Sequence, residues 1–95
     1  MTITKQVKFV AKETNIEELK ALLLTMVDAS RAEDGCLFYH IHQLTDKPTT
    51  FVVLESWKDD DALEGHKNSD HYKHYKANFE PFTAEKYSHN LSSLD

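Results

Sequence analysis

The sequence predicts an α+β fold in which strands and helical segments follow the order β-α-β-β-α-β. In four stretches of the chain, apolar and polar residues alternate as they do in half-buried strands. After the first and third stretches, apolar residues recur instead at the spacing of an amphipathic helix. This order is typical of the ferredoxin-like fold, which has one four-stranded antiparallel sheet and helices on one face. We expect residues 1–95 to form a single domain.

The first strand is predicted over residues 2–12, with Lys5 as a charged exception on its apolar face. A helix is then predicted from Thr14 to about Glu33. Thr14 and Glu17 have the spacing of a capping box. Gly35 is expected to end the helix in a left-handed conformation. The apolar stripe of this helix consists of Ile16, Leu19, Leu22, Leu23, Met26 and Val27.

The second and third strands are predicted over residues 36–44 and 50–57, joined by the turn-forming residues 45–48. Alternation assigns one face of the pair to Leu37, Tyr39, Ile41, Phe51, Val53, Glu55 and Trp57. It assigns the other face to Phe38, His40, His42, Val52, Leu54 and Ser56.

The second helical segment is predicted to consist of two pieces, with a break near Asn68. Asp59 and Ser69 are the expected N-caps of the two pieces. Pro81 is expected to stop the second piece. The final strand is predicted over residues 84–91, with Tyr87, His89 and Leu91 on one face.

The face of the sheet that carries Phe38, Val52 and Leu54 would remain uncovered, because two helical segments can cover only one face. An exposed apolar sheet face needs a partner. The simplest partner is a second copy of the chain, so we expect a homodimer formed through the sheet faces. His40 and His42 would then lie in the dimer interface.

The composition excludes several classes of function. The net charge of −5 argues against a nucleic-acid partner, because DNA and RNA are polyanions. No apolar run is long enough to cross a membrane. A single cysteine, Cys36, and an N-terminus without the apolar segment of a signal peptide favour a cytoplasmic protein. No nucleotide-binding fingerprint or zinc-like spacing occurs, so we expect no cofactor and no metal.

Residues 35–76 contain several short motifs that together resemble the antibiotic biosynthesis monooxygenase (ABM) family. These motifs are Gly35-Cys36-Leu37-Phe38-Tyr39, Phe51 with Glu55-Ser56-Trp57, Leu63-Glu64-Gly65-His66, and Ser69-Asp70-His71-Tyr72. The resemblance implies a dimeric α+β barrel with a pocket between sheet and helices in each subunit. It also implies a cofactor-independent monooxygenase that uses molecular oxygen on a small, electron-rich, enolisable substrate such as a quinol.

The residues themselves support a proton-transfer site for an anionic or enolic ligand. His66 and His71 are the candidate acid–base catalysts, because imidazole titrates near neutral pH. Residues 65–76 form an electropositive segment, in which Lys67 and Lys73 could hold an anion. The candidates for substrate binding are Trp57, Glu55, Tyr39, Tyr72, Tyr75, Lys67 and Lys73.

Alternatives remain open at this point. The lysines could simply be solvated, Trp57 could be a core residue, and Glu55 could form a structural hydrogen bond. Two other functions fit the same residues. One is an isomerase of a phosphorylated dicarbonyl, as in autoinducer-2 breakdown, and the other is a non-enzymatic dimeric ligand-binding or stress protein.

Overall fold

The predicted order of strands and helical segments is confirmed by the structure, a computed structural model that describes residues 1–95. The strands are β1 (Ile3–Ala11), β2 (Cys36–Leu44), β3 (Lys47–Trp57) and β4 (Thr83–Leu91). The helices are α1 (Ile16–Leu24), α2 (Val27–Arg31), α3 (Asp60–Lys67) and α4 (Asp70–Asn78). Short 3₁₀ turns at Glu13–Asn15 and Glu80–Phe82 precede α1 and β4.

The four strands form one antiparallel sheet in the order β2-β3-β1-β4, which confirms the ferredoxin-like architecture. One face of the sheet packs against the helices, and we call it the covered face. The core between the two layers consists of Val7, Phe9, Ala11, Leu19, Leu22, Leu23, Met26, Tyr39, Phe51, Val53, Trp57, Tyr75 and Phe79. Burial of these side chains is the main source of stability, at about 25 cal/mol per Å² of apolar surface removed from water.

The opposite face, which we call the open face, has no helix against it. Strand register places Leu54 beside His40 on β2 and Gln6 on β1, and it places Tyr87 opposite Lys8. Phe38, Tyr87 and Leu91 are 37%, 44% and 42% exposed there. The open face is therefore a mixture of apolar and polar side chains that the single chain leaves in contact with solvent.

None of the helices combines the length and the apolar character that crossing a lipid bilayer requires.

The first helical segment differs from its prediction in two ways. It divides into α1 and α2 at Thr25 and Met26, whose N–H groups donate to carbonyls three residues back. The capping box at Thr14 is also wrong, because a 3₁₀ turn comes first and the N-cap is Asn15, which forms no capping hydrogen bond. The second segment follows its prediction, since Asp59 caps α3 and Ser69 caps α4 through their side chains.

The strand pair β2–β3 departs from the predicted alternation. An irregularity between Cys36 and Phe38 places Cys36 opposite Trp57 and Phe38 opposite Ser56, so Leu37 is the extra residue of a bulge. Leu37 is 54% exposed, and its prediction as a covered-face residue is therefore wrong. Strand β3 also begins earlier than predicted, at Lys47, because the turn is only two residues long.

Gly35 is required for close packing and not for a left-handed turn. No glycine in the chain has a positive φ, so that prediction was wrong. A Cβ added at Gly35 would overlap the Cβ of Ala62 on α3. The close approach lets α3 lie against the start of β2, and the Gly35 carbonyl accepts a hydrogen bond from the Lys58 N–H at 2.9 Å.

We predict that Gly35→Ala lowers the free energy of unfolding by about 1–3 kcal/mol, because the added methyl group overpacks the contact with Ala62. Urea denaturation measures the change. Gly65→Ala is the matched control: a Cβ at Gly65 meets no atom within 4 Å. It should stabilise helix α3 by up to about 1 kcal/mol. Equal losses of stability in the two variants would contradict the packing role of Gly35.

Candidate active site

A cavity lies between the covered face of the sheet and the helices. The cavity and the solvent-filled space at its open mouth together have a volume of about 540 Å³. Its apolar walls are Val7, Phe9, Leu23, Met26, Val53 and Leu63, with the rings of three tyrosines. Its polar and charged lining consists of Lys5, Tyr39, Glu55, His66, Lys67, Tyr72, Tyr75, Lys86 and Ser88. Apolar walls with a few convergent polar groups are typical of a small-molecule site.

His66 is the most deeply buried titratable side chain of this site, with 2% of its surface exposed. Helix α3 carries it inward beside Leu63, one turn earlier on the same side of the helix. The imidazole packs against the Trp57 ring at an interplanar angle of 32° with centroids 4.3 Å apart, and the Tyr72 ring meets it edge-on at 5.2 Å. Two aromatic rings therefore fix the orientation of the imidazole.

Glu33 joins the two candidate catalytic histidines. Its Oε2 atom lies 2.7 Å from His66 Nδ1 and 2.9 Å from His71 Nε2. Glu33 lies in the segment between α2 and β2, His66 on α3 and His71 on α4. One carboxylate oxygen thus links three parts of the chain, and each hydrogen bond to such a charged group typically contributes about 1.5–3 kcal/mol.

The surrounding hydrogen bonds assign the protons of both histidines. The Ser69 hydroxyl donates to the His66 carbonyl at 2.6 Å, so Ser69 Oγ can only accept from His71 Nε2 at 3.2 Å. His71 Nε2 must then carry a hydrogen, which also faces Glu33. An ionised Glu33 likewise accepts the hydrogen of His66 Nδ1.

In the neutral imidazole, the other ring nitrogen of His66, Nε2, then has a free lone pair. It has no hydrogen-bond partner in the chain, yet it is not among the fully buried polar atoms that lack one. His66 lines the cavity, whereas His71 does not. The arrangement is that of a base held in one tautomer by a carboxylate.

Glu55 and Trp57 lie on the covered face as predicted, but only Glu55 lines the cavity. The Trp57 Nε1–H donates to Glu55 Oε1 at 2.9 Å. Trp57 is completely buried and lies behind His66. Its ring therefore supports the imidazole and does not form a wall of the cavity.

Tyr39, Tyr72 and Tyr75 all line the cavity. Burial raises the pKa of all three phenols above its usual value, and the nearby Glu55 carboxylate raises it further. The phenols stay protonated, and their hydroxyl groups form no hydrogen bond within the chain. They are available as donors to a ligand.

The lysines are distributed differently from the prediction. Lys67 lines the cavity, whereas Lys73 is an exposed residue of α4 outside it. Lys5 and Lys86, which the sequence analysis did not select, do line it. Burial lowers the pKa of Lys86, and the positive charges of Lys76 and Lys5 lower it further.

Glu33, Lys5, Lys86 and Ser88 are the polar site residues that sequence reasoning missed. The sequence pattern indicated Lys5, because it is the one charged residue on the otherwise apolar face of β1. Lys86 and Ser88 alternate with Tyr87 and were detectable as the opposite face of β4. Glu33 had no local signal, because it is 33 residues from His66 in the sequence.

Glu33, His66 and His71 are also a group that could hold a metal ion, since their ligand atoms lie within 4.8 Å of one another. Two imidazoles and one carboxylate are donors that suit several transition metals. In the structure these atoms are at hydrogen-bond distances and satisfy one another directly. The observed geometry is therefore that of a hydrogen-bonded cluster.

Comparison with known proteins finds similar chains over most of the length. "Putative monooxygenase Rv0793" of Mycobacterium tuberculosis is 34% identical over 70 residues, which cover 74% of this chain and 68% of that protein. "Putative monooxygenase YcnE" of Bacillus subtilis is 32% identical over 75 residues, which cover 79% of each chain.

The fold also matches solved structures. The crystal structure of PA3566 from Pseudomonas aeruginosa superimposes with a TM-score of 0.94 at 32% identity, covering 99% of this chain and 95% of that one. The structure of Rv0793 superimposes with a TM-score of 0.93 at 28% identity, covering 100% and 97%. The family model described as "Antibiotic biosynthesis monooxygenase" matches residues 2–78, and the chain therefore belongs to the antibiotic biosynthesis monooxygenase (ABM) family.

Proposed function

We propose that this protein is a cofactor-independent monooxygenase that acts on a small, electron-rich, enolisable compound such as a quinol. Family membership supports the oxygenase reaction. The observation that carries the proposal is the hydrogen bond from His66 Nδ1 to Glu33, which leaves the His66 Nε2 lone pair available at the cavity. His66 is the proposed base, and Glu33 holds it in the required tautomer.

The first step is removal of a proton from the substrate hydroxyl by His66 Nε2. The imidazolium that forms has the Glu33 carboxylate at 2.7 Å and the face of Trp57 at 4.3 Å. Both interactions stabilise a positive charge. His71 donates to the same Glu33 oxygen and keeps the carboxylate oriented. His71 thus acts through Glu33, as a positioning residue.

The second step is oxidation of the substrate anion by molecular oxygen. A quinol can supply every electron that the reaction needs: one oxygen atom enters the ring, the other leaves as water, and the product is a hydroxyquinone. No external reductant is required. The tyrosine hydroxyls of Tyr39, Tyr72 and Tyr75 would orient the substrate oxygens in the cavity.

An isomerase of a phosphorylated dicarbonyl is the second candidate, because the cavity carries lysine side chains that could hold phosphate. It would use the same His66 to abstract a proton from carbon. Oxygen consumption during turnover separates the two reactions. Tight ligand binding with neither oxygen uptake nor isomerisation would identify a ligand-binding protein instead.

We also propose a homodimer formed through the open face, in a cytoplasmic protein. Phe38 and Tyr87 are large side chains exposed on that face, and Val52 and Leu54 are half-buried between them. A second copy packed face to face would remove these apolar groups from water, and His40 and His42 would lie in the interface.

We predict that His66→Ala lowers the rate of substrate oxidation about 10²–10⁴-fold, the usual contribution of a general base. His66→Gln should lose a similar factor and keep more of the packing against Trp57. An oxygen electrode with a panel of quinols measures the rate, and thermal unfolding checks the fold. His74→Ala is the control, because His74 is exposed on α4 and its side chain hydrogen-bonds only with Asn78. Equal losses at His74 and His66 would show that the proton is taken elsewhere.

We predict that exhaustive chelation of metal ions leaves the activity unchanged. The reason is that Glu33 serves as a hydrogen-bond acceptor for the two histidines and not as a metal ligand. Glu33→Gln removes the charge that stabilises the imidazolium, and it should lower kcat at least about tenfold with little change in KM. Oxygen uptake before and after dialysis against chelator gives the first measurement. Activity that is lost on chelation and restored by an added metal would contradict this role of the cluster.

We predict that the protein sediments as a dimer at micromolar concentration, with twice the 11.0 kDa mass of one chain. Leu54→Asp should dissociate it, because the substitution buries an unpaired charge in the interface. Leu24→Asp is the control, since Leu24 is 55% exposed on α1, away from the open face. A wild-type chain that sediments as a stable monomer would refute the face-to-face dimer.

A further inference from the structure

We infer that Lys5 and Lys86 form a subsite for an oxyanion group of the ligand, so that the substrate is a small phenolic or enolic acid. The inference rests on the proposed function for the reacting end of the substrate, and it adds the chemistry of the other end. It starts from two lysines that the covered face directs into the cavity.

Lys5 and Lys86 lie on neighbouring antiparallel strands, β1 and β4. Lys86 pairs with Phe9, and Ser88 pairs with Val7, so Ser88 lies between the two lysines on the same face. All three side chains line the cavity. The sheet therefore provides two ammonium groups and one hydroxyl along one wall, and all of them can donate hydrogen bonds to an oxyanion.

Neither lysine forms an ion pair in the chain, and the carboxylate that acts on Lys86 from a greater distance is that of Glu55. The ion pairs of the structure are the two between Glu33 and the histidines. Glu55 occupies the position opposite Lys5 on β3, but its Oε1 accepts from Trp57 and it forms no ion pair. Three lysines thus line the cavity with one carboxylate, which leaves an excess of positive charge inside a protein whose net charge is −5.

The Lys86 ammonium lies over aromatic rings and is only partly exposed to water. Its Nζ atom lies 4.9, 5.4 and 5.7 Å from the ring centroids of Phe79, Tyr75 and Phe9. These cation–π contacts offset part of the cost of burying the charge. A half-buried ammonium that has no ion-pair partner remains costly, and a ligand oxyanion in direct contact would compensate for it.

The position of the lysines relative to His66 defines the kind of ligand. Lys5 and Lys86 extend from the sheet, whereas His66 extends from α3, which packs on that sheet. A ligand in the cavity can therefore place its acidic hydroxyl at His66 and a second, permanently charged group at the lysines. A carboxylate and a phosphate ester share this chemistry, and direct binding measurements distinguish them.

The test compares small phenols with and without a charged group, by anaerobic isothermal titration calorimetry so that no turnover occurs. The probes are 2,5-dihydroxybenzoate, its methyl ester and 4-hydroxyphenyl phosphate. We expect the wild-type protein to bind at least one of the two anions about tenfold or more tightly than the neutral ester. The anion that binds more tightly identifies the charged group as carboxylate or phosphate.

The variants assign the binding to the subsite. Lys86→Met keeps the apolar stem over the rings, and it should weaken the preferred anion about tenfold while leaving the ester unchanged. Lys5→Met should act in the same direction. Lys73→Met is the matched control, because Lys73 is exposed outside the cavity, and it should have no effect. Thermal unfolding confirms that each variant is folded.

The inference is overturned if neither anion binds more tightly than the ester, or if Lys86→Met and Lys73→Met weaken the anion equally. His66→Gln separates this result from the proposed function. One outcome is that His66→Gln and the wild-type protein prefer the anion equally while neither oxidises any quinol. That result would support the oxyanion subsite and refute the monooxygenase proposal.

Discussion

The burial of His66 between Trp57 and Tyr72, with its hydrogen bond to Glu33, is the constraint on which the rest of the site depends. An imidazole that is 2% exposed must have its polar atoms satisfied or directed at a cavity. Nδ1 is satisfied by Glu33 at 2.7 Å, which leaves only Nε2 for a ligand. The same contact ties α3 to the segment before β2, so the helix that carries the proposed base cannot shift without breaking it.

The aromatic residues around His66 have two separate tasks. Trp57 is wholly buried, and its ring supports the imidazole while its N–H satisfies Glu55. Tyr72 and Tyr75 pack edge to face with centroids 5.5 Å apart and continue from the imidazole to Phe79. This row of rings connects the proposed base to Lys86, which lies over Phe79 and Tyr75. This row of aromatic rings therefore lies between the proposed proton-transfer group and the proposed oxyanion subsite.

The two faces of the sheet have different roles in the protein. The covered face uses its apolar positions for the core and its polar positions, Lys5, Glu55 and Lys86, for the cavity. The open face carries no group of the site. A partner that covers it would stabilise the sheet without occupying the cavity, which is consistent with a site in each subunit.

The sequence by itself determined the order of strands and helical segments along the chain, the two-part second helical segment with its Asp59 and Ser69 caps, and the placement of His66 beside Leu63. These features follow from alternation, helical spacing and capping chemistry, all of which act between residues close in the sequence. Three features were decided only by the tertiary structure. Glu33 joins His66 to His71, the absence of a side chain at Gly35 leaves room for Ala62, and a bulge turns Leu37 outward. Each of these depends on contacts between distant parts of the chain or on an interruption of regular pairing, and such contacts leave no periodic trace in the sequence.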